Sequence, residues 1–506
     1  MLAAHDALPL GAHRLSLQQV ADVARGPVLP TLSEEGTLKM ERSCGWVRKV
    51  LHERRPIYGV STGFGSLAST FIEPEQSAAL SRNLIRSHAA GVGKACPTDV
   101  VRATMLLRAN ALAQGASGCR PELVRTLLAM LEKGVHPVIP QQGSCGSSGD
   151  LAPLSHLGLV LFGEGGEAEY QGQLHTGPEA MAKAGIPTLE TQAKDGLAMS
   201  NGAQLTTAIS VLAWIDAAKL LHTAELAAAM SIEALRGVTR AFHPSVHALR
   251  PYTGALACAA RLRALLAGSS LVDSTPKVQD AYSLRCTPVV LGSVRDFLDF
   301  TGRQLAVEVN AVTDNPVFVE EGDDLGAFSA GLFHGEPVGM AADALKLAVA
   351  ELGSLSERRL YRLTTGSLSQ RLPPALVGQD RPDLGMIVPQ TAAAALVSEN
   401  KALCWPASAD SIPTCEDQED HVAMSTTAAW RLREVVQNSR RVVAVELLCA
   451  ARALHFRQQE DPGVRLGVGA AWAMERLAKI PEEGVASEQI EAIARLIEEG
   501  LEGPCA

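Results

Sequence analysis

From about residue 195 onward the chain places apolar residues every three or four positions over stretches too long for strands, and this periodicity constrains the fold most. Leu345, Val349, Leu352 and Leu355 form one such stripe, and Leu432, Val436, Val443 and Leu447 form another. A stripe of this kind covers one helix face and needs an apolar partner, so several in succession imply a bundle. The most apolar stretch, Ala203 to Leu235, carries Asp216, Lys219, His222 and Glu225 at intervals too short for a bilayer core. It reads as a helix buried in protein, and no membrane-spanning segment is expected. Loops rich in Gly, Pro, Ser and Asp, such as Gly268 to Pro276 and Leu372 to Gly385, interrupt the helices and can bring polar side chains together from distant parts of the chain.

The N-terminal part mixes shorter elements. Pro121 to Lys133 has Leu123, Leu127 and Leu131 on one face, Pro in its first turn and Gly134 after its end, which predicts a helix. Glu167 to His175 alternates loosely around Gly172 and suits a short hairpin. The expected fold class is therefore mostly α: a smaller mixed part over residues 1–195, then a long-helix bundle with C-terminal helices over 196–506, sharing one continuous core. A formal net charge of −10 without basic clusters argues against nucleic acid as a partner. Ten cysteines without CxxC pairs, and no signal peptide, read as reduced thiols of a cytoplasmic protein.

The chemistry concentrates in GSCGSSGDLAPLSH, residues 143–156. If the amide nitrogen of Gly149 attacks the carbonyl carbon of Ser147, a five-membered ring closes with loss of one water, and departure of the Ser148 hydroxyl removes a second. The product is a 4-methylidene-imidazol-5-one (MIO), an alkene electrophile made without any external cofactor. Gly is required third because a side chain obstructs so tight a closure, and Ser second because its hydroxyl must leave. The Ser147 side chain is not consumed. Asp150 can cap a helix in which Leu151, Leu154, Leu157 and Leu161 recur, with Pro153 in its first turn. That places the tripeptide at a helix N-terminus, where the dipole favours negative charge on the ring oxygen. A phosphate-cradling loop is the bland alternative. It is weakened by the absence of Gly-Lys-Ser/Thr, and the nucleophile-elbow spacing is absent too.

This motif resembles the hallmark of the aromatic amino acid ammonia-lyases, with Ser147 where the family usually has Ala. The resemblance extends from about Arg55 to Phe456 and looks closest to the histidine ammonia-lyase branch. It implies a mostly helical homotetramer with shared active sites, acting on a small amino acid. YGVSTGFGSLAS, Tyr58 to Ser69, supplies Tyr58 as the general base, with Ser61 replacing the usual Asn. LIRSHAAGVG places His88 at the polar end of the substrate ring, and MSNGAQ gives Asn201, whose amide bonds the prosthetic ring or the substrate. VQDAYSLRC contributes Gln279, Tyr282 and Arg285 at three-residue spacing, with Arg285 as the carboxylate anchor and Ala281 in place of Pro. GLFHGEPVGM brings Phe333 beside the ring, with Leu332 where histidine lyases have Asn. LGMIVPQ offers Met386 as a ring contact, and DQEDHVAM offers Glu419 facing the imidazole, with Asp417 in place of Asn.

Elimination must overcome a poor leaving group, ammonia, and a feebly acidic β-proton. On the resemblance, the electrophile addresses the first and Tyr58 the second, while Arg285 anchors the carboxylate. Whether the substrate amine or its ring adds to the methylidene carbon is left open by the sequence. No metal is implied. His88 with Glu419 favours histidine, giving trans-urocanate. Two other lyase substrates stay open, a trimethylated histidine betaine suited to Asp417 and, more weakly, tyrosine. A different class is a catalytically silent helical scaffold, since fold does not guarantee activity. Retention of both waters in the intact protein mass would mark that case.

Overall fold

The computed structural model describes residues 8–63, 70–378, 383–481 and 484–504. Among the described residues are eighteen α-helices, three two-stranded sheets and one three-stranded sheet, so the chain is mostly α as the periodicity requires. Two compact units emerge: Met1–Leu212 with Gly302–Asp343 and Pro406–Trp430, and Ala213–Thr301 with Ala344–Trp405 and Arg431–Ala506. The chain crosses between them five times, inside the helices Gln204–Ala234, Thr287–Glu308, Glu336–Thr364 and Ser425–Glu460 and in the loop at Trp405–Pro406. The first of these is the one described helix long and apolar enough to cross a bilayer, and 72% of its most apolar window is buried. Apolarity there serves packing.

The first unit contains all the described strands. Its hairpin pairs Glu167–Tyr170 antiparallel with Gln173–Thr176 through Gln171 and Gly172, both at positive φ, as a two-residue turn with the right twist demands. The helix Pro121–Lys133 starts on its proline and ends at Gly134 in the left-handed conformation, which matches the sequence reading. Three other helices position the candidate site by packing on one another: Ser77–His88, Leu151–Leu161 and Asp195–Ser200. Glycine makes the approach close enough. A Cβ on Gly196 would lie 2.5 Å from the Ser81 carbonyl oxygen, and one on Gly158 would lie 2.9 Å from Ile85 Cδ1. Leu154, Leu157 and Leu161 are wholly buried, each stabilising the packing by about 1.5–3 kcal/mol. The consequence is positional: His88 ends one helix, Asn201 caps another, and the Ser-Ser-Gly tripeptide precedes the third.

The second unit is helical throughout its described residues, apart from turns and loops. Leu345, Val349, Leu352 and Leu355 are buried, as are Leu432, Val436, Val443 and Leu447, so both stripes face the core. One buried ion pair in it is closely satisfied. Glu446, fully buried, accepts from Arg359 Nε at 2.5 Å and Nη2 at 2.8 Å, and from the hydroxyls of Ser231 at 2.7 Å and Ser356 at 2.6 Å. A carboxylate with four donors tolerates the absence of water.

Candidate active site

The tripeptide loop is held from below by Asp150, and the way it is held differs from the expected local cap. Asp150 occupies the N-cap position of Leu151–Leu161, yet its side chain makes no bond to that helix. Its Oδ2 instead accepts from the Thr206 backbone N–H at 2.8 Å, capping Gln204–Ala234, while Oδ1 accepts from the hydroxyls of Ser144 and Thr206 at 2.8 Å and Thr426 at 2.9 Å. The carboxylate therefore cross-links the loop to two other chain segments. Burial pushes the Asp150 carboxyl above its ordinary range, and these four donors oppose the rise. Glu308, in the same unit, is pushed up to about 7 by burial and the charge of Asp150.

Gly149 stands at φ +69°, and a Cβ there would fall on the carbonyl carbon of Gly202. The two glycines form a parallel bridge, and the Asp150 N–H donates to the Gly202 carbonyl at 2.7 Å. Only glycine permits this approach. Asn201 Nδ2 donates to the Ser148 carbonyl oxygen at 3.2 Å, and Asn201 Oδ1 is buried without a hydrogen-bond partner. Phe333 is half-buried, in a segment tied to the loop by Gly335 N–H donating to the Gly146 carbonyl at 2.9 Å. Its neighbour His334 reaches the His421 carbonyl at 3.2 Å, joining the GLFHGEPVGM and DQEDHVAM blocks.

Glu419 lies directly on the tripeptide. Ser147 Oγ donates to its Oε2 at 2.8 Å, Thr414 Oγ1 to the same oxygen at 2.6 Å, and Ser148 Oγ to Oε1. Thr414 and Glu419 also pair through their backbones, pinning the turn that contains Cys415, Glu416 and Asp417. All three of these turn residues have positive φ, an uncommon conformation for side chains other than Gly and Asn. Burial raises the Glu419 carboxyl, but the Ser148, Thr414 and Ser147 hydroxyls and the nearby His88 lower it further, so it sits below the ordinary range and is ionised. His88 is half-buried with Ser87 Oγ 2.9 Å from its Nδ1. Burial lowers its pKa, only partly countered by the Leu84 backbone and by Glu419, which keeps the imidazole neutral near pH 7.

Tyr58 is half-buried in a turn closed by backbone bonds from Val60 and Ser61 to the Ile57 carbonyl. Ser61, standing where the resembled family has Asn, locks this turn: it accepts from Ile57 N–H at 2.8 Å and donates to the Arg55 carbonyl at 2.5 Å. The rest of that block, residues 64–69, lies outside the described residues.

The second unit carries the other candidates. The three-residue spacing of Gln279, Tyr282 and Arg285 fits one side of a helical turn or of a tightly wound loop, and the structure divides them: Tyr282–Arg285 is a single helical turn and Gln279 precedes it in irregular chain. Asp280, buried between them, accepts from Val238 N–H at 2.5 Å and Lys277 Nζ at 2.7 Å, and this anchorage stops the helix from starting earlier. Arg285 Nε donates to the Asp280 carbonyl at 2.9 Å and its guanidinium lies 4.7 Å from the Tyr282 ring centroid. One edge of the guanidinium is thus fixed by the chain itself. Met386 is buried at the start of Ile387–Leu403.

The structure thus brings together His88, Ser147, Ser148, Gly149, Asn201, Phe333 and Glu419 in one unit, and Gln279, Tyr282 and Arg285 in the other. Sequence reasoning missed Thr206, Thr414 and Thr426, the hydroxyls that hold the two carboxylates. Only Ser144 carried a signal, lying inside the motif. Among the described residues no cluster of His, Cys, Asp and Glu could hold a metal ion.

A family model for aromatic amino acid lyases matches residues 15–478. The histidine ammonia-lyase of Symbiobacterium thermophilum is 46% identical over 497 residues, spanning 98% of this chain and 97% of its own length. The crystal structure of histidine ammonia-lyase from Trypanosoma cruzi superposes with a TM-score of 0.90 at 35% identity, over 98% of this chain and 94% of that one. Ergothionase from Treponema denticola, an ergothioneine-degrading enzyme, gives a TM-score of 0.90 at 28% identity, over 98% and 99%.

Proposed function

The chain belongs to the aromatic amino acid lyase family and is a carbon–nitrogen lyase, and from that premise we propose that it eliminates ammonia from L-histidine to give trans-urocanate. The observation that carries this substrate is the ionised Glu419 carboxylate seated on the tripeptide, with the neutral imidazole of His88 nearby. An imidazole both donates and accepts hydrogen bonds, so a carboxylate and a second imidazole suit its two nitrogens. The histidine ammonia-lyase relatives support the same reading.

The residues fit MIO formation from Ser147, Ser148 and Gly149. Gly149 has the positive φ and the contact with Gly202 that exclude a side chain, and the Asn201 amide donates to Ser148 O, the atom retained as the ring oxygen. When formed, the group supplies a carbon electrophile that activates the substrate for loss of its amine. The chain's own residues do the rest. Arg285 holds the substrate carboxylate by its terminal nitrogens, with Tyr282 and Gln279 beside it, and Glu419 and His88 fix the imidazole. Phe333 and Met386 supply apolar contact. Tyr58 removes the β-proton, which requires its phenol to be a stronger acid than free tyrosine, whose pKa is near ~10.

Homotetramer formation with shared sites is part of the proposal, because the block bearing Gln279, Tyr282 and Arg285 is exposed on a single chain. So is a cytoplasmic location, supported by nine described cysteines that are all free thiols. One observation favours a second reading, amine elimination from a trimethylated histidine: the Asp417 carboxylate is exposed two residues before Glu419, as a cationic substrate would favour.

The test incubates purified protein with L-histidine, L-tyrosine and N-trimethylated histidine, following ammonia and the absorbance of the conjugated acid, with Ser148→Ala as control. Histidine turnover by a wild type two waters lighter than its sequence, lost in the variant, is the expected result. Preference for the betaine installs the second reading. A mature protein inert toward all three overturns both.

A further inference from the structure

We propose that Ser147 is a specificity-determining positioning residue, whose hydroxyl clamps one oxygen of Glu419 so that the other is presented to the substrate imidazole. This rests on the reading of Glu419 as the imidazole partner and deepens it. The hydrogen bonds divide the carboxylate in two. Oε2 receives Ser147 Oγ at 2.8 Å and Thr414 Oγ1 at 2.6 Å, whereas among the described residues Oε1 receives only Ser148 Oγ. Ring closure discards the Ser148 hydroxyl and keeps that of Ser147. In the matured chain Oε2 therefore stays fixed from two sides, and Oε1 has lost its protein donor and faces the side where the Ser148 hydroxyl stood.

Two consequences follow. Before maturation the chain occupies its own imidazole acceptor, since the Ser148 hydroxyl sits on Oε1. After maturation the carboxylate offers one oriented acceptor and has no freedom to turn, because rotation would break two charge-assisted bonds. The aromatic ammonia-lyase pattern has Ala at this position, with no hydroxyl to give. Ser147 thus adds an anchor to a turn whose residues Cys415, Glu416 and Asp417 all stand at positive φ, beside those from Thr414 and the Gln418 N–H bond to the Cys415 carbonyl. The ligand class selected is a planar heterocycle with an N–H donor directed at Oε1. A phenol hydroxyl in that place gains less, lacking the second nitrogen for His88.

The experiment separates binding from turnover. Ser148→Ala has no hydroxyl to lose and cannot form the methylidene electrophile, and it also removes the donor on Oε1, so L-histidine binding to it can be measured by calorimetry without reaction. Adding Ser147→Ala is expected to raise Kd for histidine by about tenfold, the range for one hydrogen bond to a charged group. Adding Ser147→Thr, which keeps the hydroxyl, should leave Kd within about twofold. In the ring-competent protein Ser147→Ala should raise KM about tenfold with kcat lowered less than about threefold, and the KM effect should vanish in a Glu419→Gln background. An unchanged Kd and KM in Ser147→Ala overturns the proposal while histidine turnover by the wild type keeps the lyase reading intact. Equal losses with and without Glu419 also overturn it. A mature wild type that ignores histidine sinks the lyase reading instead, and should Ser147→Ala fail to mature, the calorimetric arm still decides.

Discussion

In the tripeptide loop Asp150 is wholly buried and receives four hydrogen bonds, whereas in the block from Val278 to Cys286 the side chains of Val278 and Tyr282 are 95% and 71% exposed. The loop is a finished scaffold. Its glycines, hydroxyls and carboxylate fix the backbone within one unit, so the geometry for ring closure comes with folding of that unit. The exposed block fixes only its base, through Asp280, and leaves its working side chains outward. Part of this site is thus a property of the chain, and part awaits whatever covers it, which in the proposed homotetramer is another copy.

The sharpest way to break the comparison is Gly149→Ala. A Cβ on the Gly202 carbonyl carbon, at a φ that L side chains rarely adopt, cannot be absorbed by a loop held this tightly. Ring closure should fail, with activity falling by at least about three orders of magnitude, as when a reacting group is removed. Intact mass retaining both waters checks it. A variant that still matures would mean the loop is more compliant than its contacts imply.

The second unit supplies a carboxylate that lacks Asp150's full set of donors. Glu233 Oε1 accepts from Ser269 Oγ at 2.8 Å and Gly467 N–H at 2.7 Å, but Oε2 is buried without a partner. Burial pushes its carboxyl from 4.5 up to about 7. The folded state therefore holds this proton more tightly than the unfolded state. The resulting stability is full below about pH 4.5 and is lost as pH rises through about 7, a swing of roughly 3 kcal/mol. Glu233→Gln should remove that swing, so the variant gains on the wild type between pH 5 and 8 in denaturant titrations. Parallel pH profiles would show that Oε2 is satisfied in solution.

How much of this was legible in the sequence follows the same division. Helix periodicity survives without knowledge of tertiary contacts, so Pro121–Lys133, the hairpin at Gly172 and the buried stripes were readable. The tripeptide was readable because its chemistry is local. Asp150 was misjudged as a local cap because its true donors come from Thr206 and Thr426, 56 and 276 residues away. For Gln279, Tyr282 and Arg285 the spacing leaves helical turn and tight loop equally open, because it cannot reveal that Asp280 is pinned by Val238 and Lys277. Long-range hydrogen bonds, which leave no periodic trace, account for both.

Arg285→Lys sharpens the other side of the comparison. The guanidinium is oriented by one bond to the Asp280 carbonyl and by the Tyr282 ring, which leaves its outer edge for a carboxylate. Lysine keeps the charge but loses the planar two-pronged contact. KM for histidine should rise by about 10- to 100-fold, with ring closure by mass unaffected. Failure of maturation in this variant would join the two regions more closely than their separate anchorage suggests.

The smallest expected effect belongs to Asp150→Asn, and its modesty is what the loop's construction requires. Three of the four donors to Asp150 are hydroxyls, which can rotate and accept a bond as readily as give one. The fourth, the Thr206 backbone N–H, cannot. Asparagine can therefore turn its oxygen to Thr206 and its NH2 to the hydroxyls, keeping every group partnered. Removing a charge that burial already disfavours offsets part of the loss of charge-assisted bonds. The net destabilisation should be about 1 kcal/mol, read as a small fall in thermal midpoint. Asp150→Leu leaves the Thr206 backbone N–H without its acceptor and takes the shared acceptor from three hydroxyls that are left to bond one another, and should cost several times more. Equal losses in the two variants would mean that the charge of Asp150, and not its count of acceptors, holds the loop, and the contrast with Glu233 would then need a different physical basis.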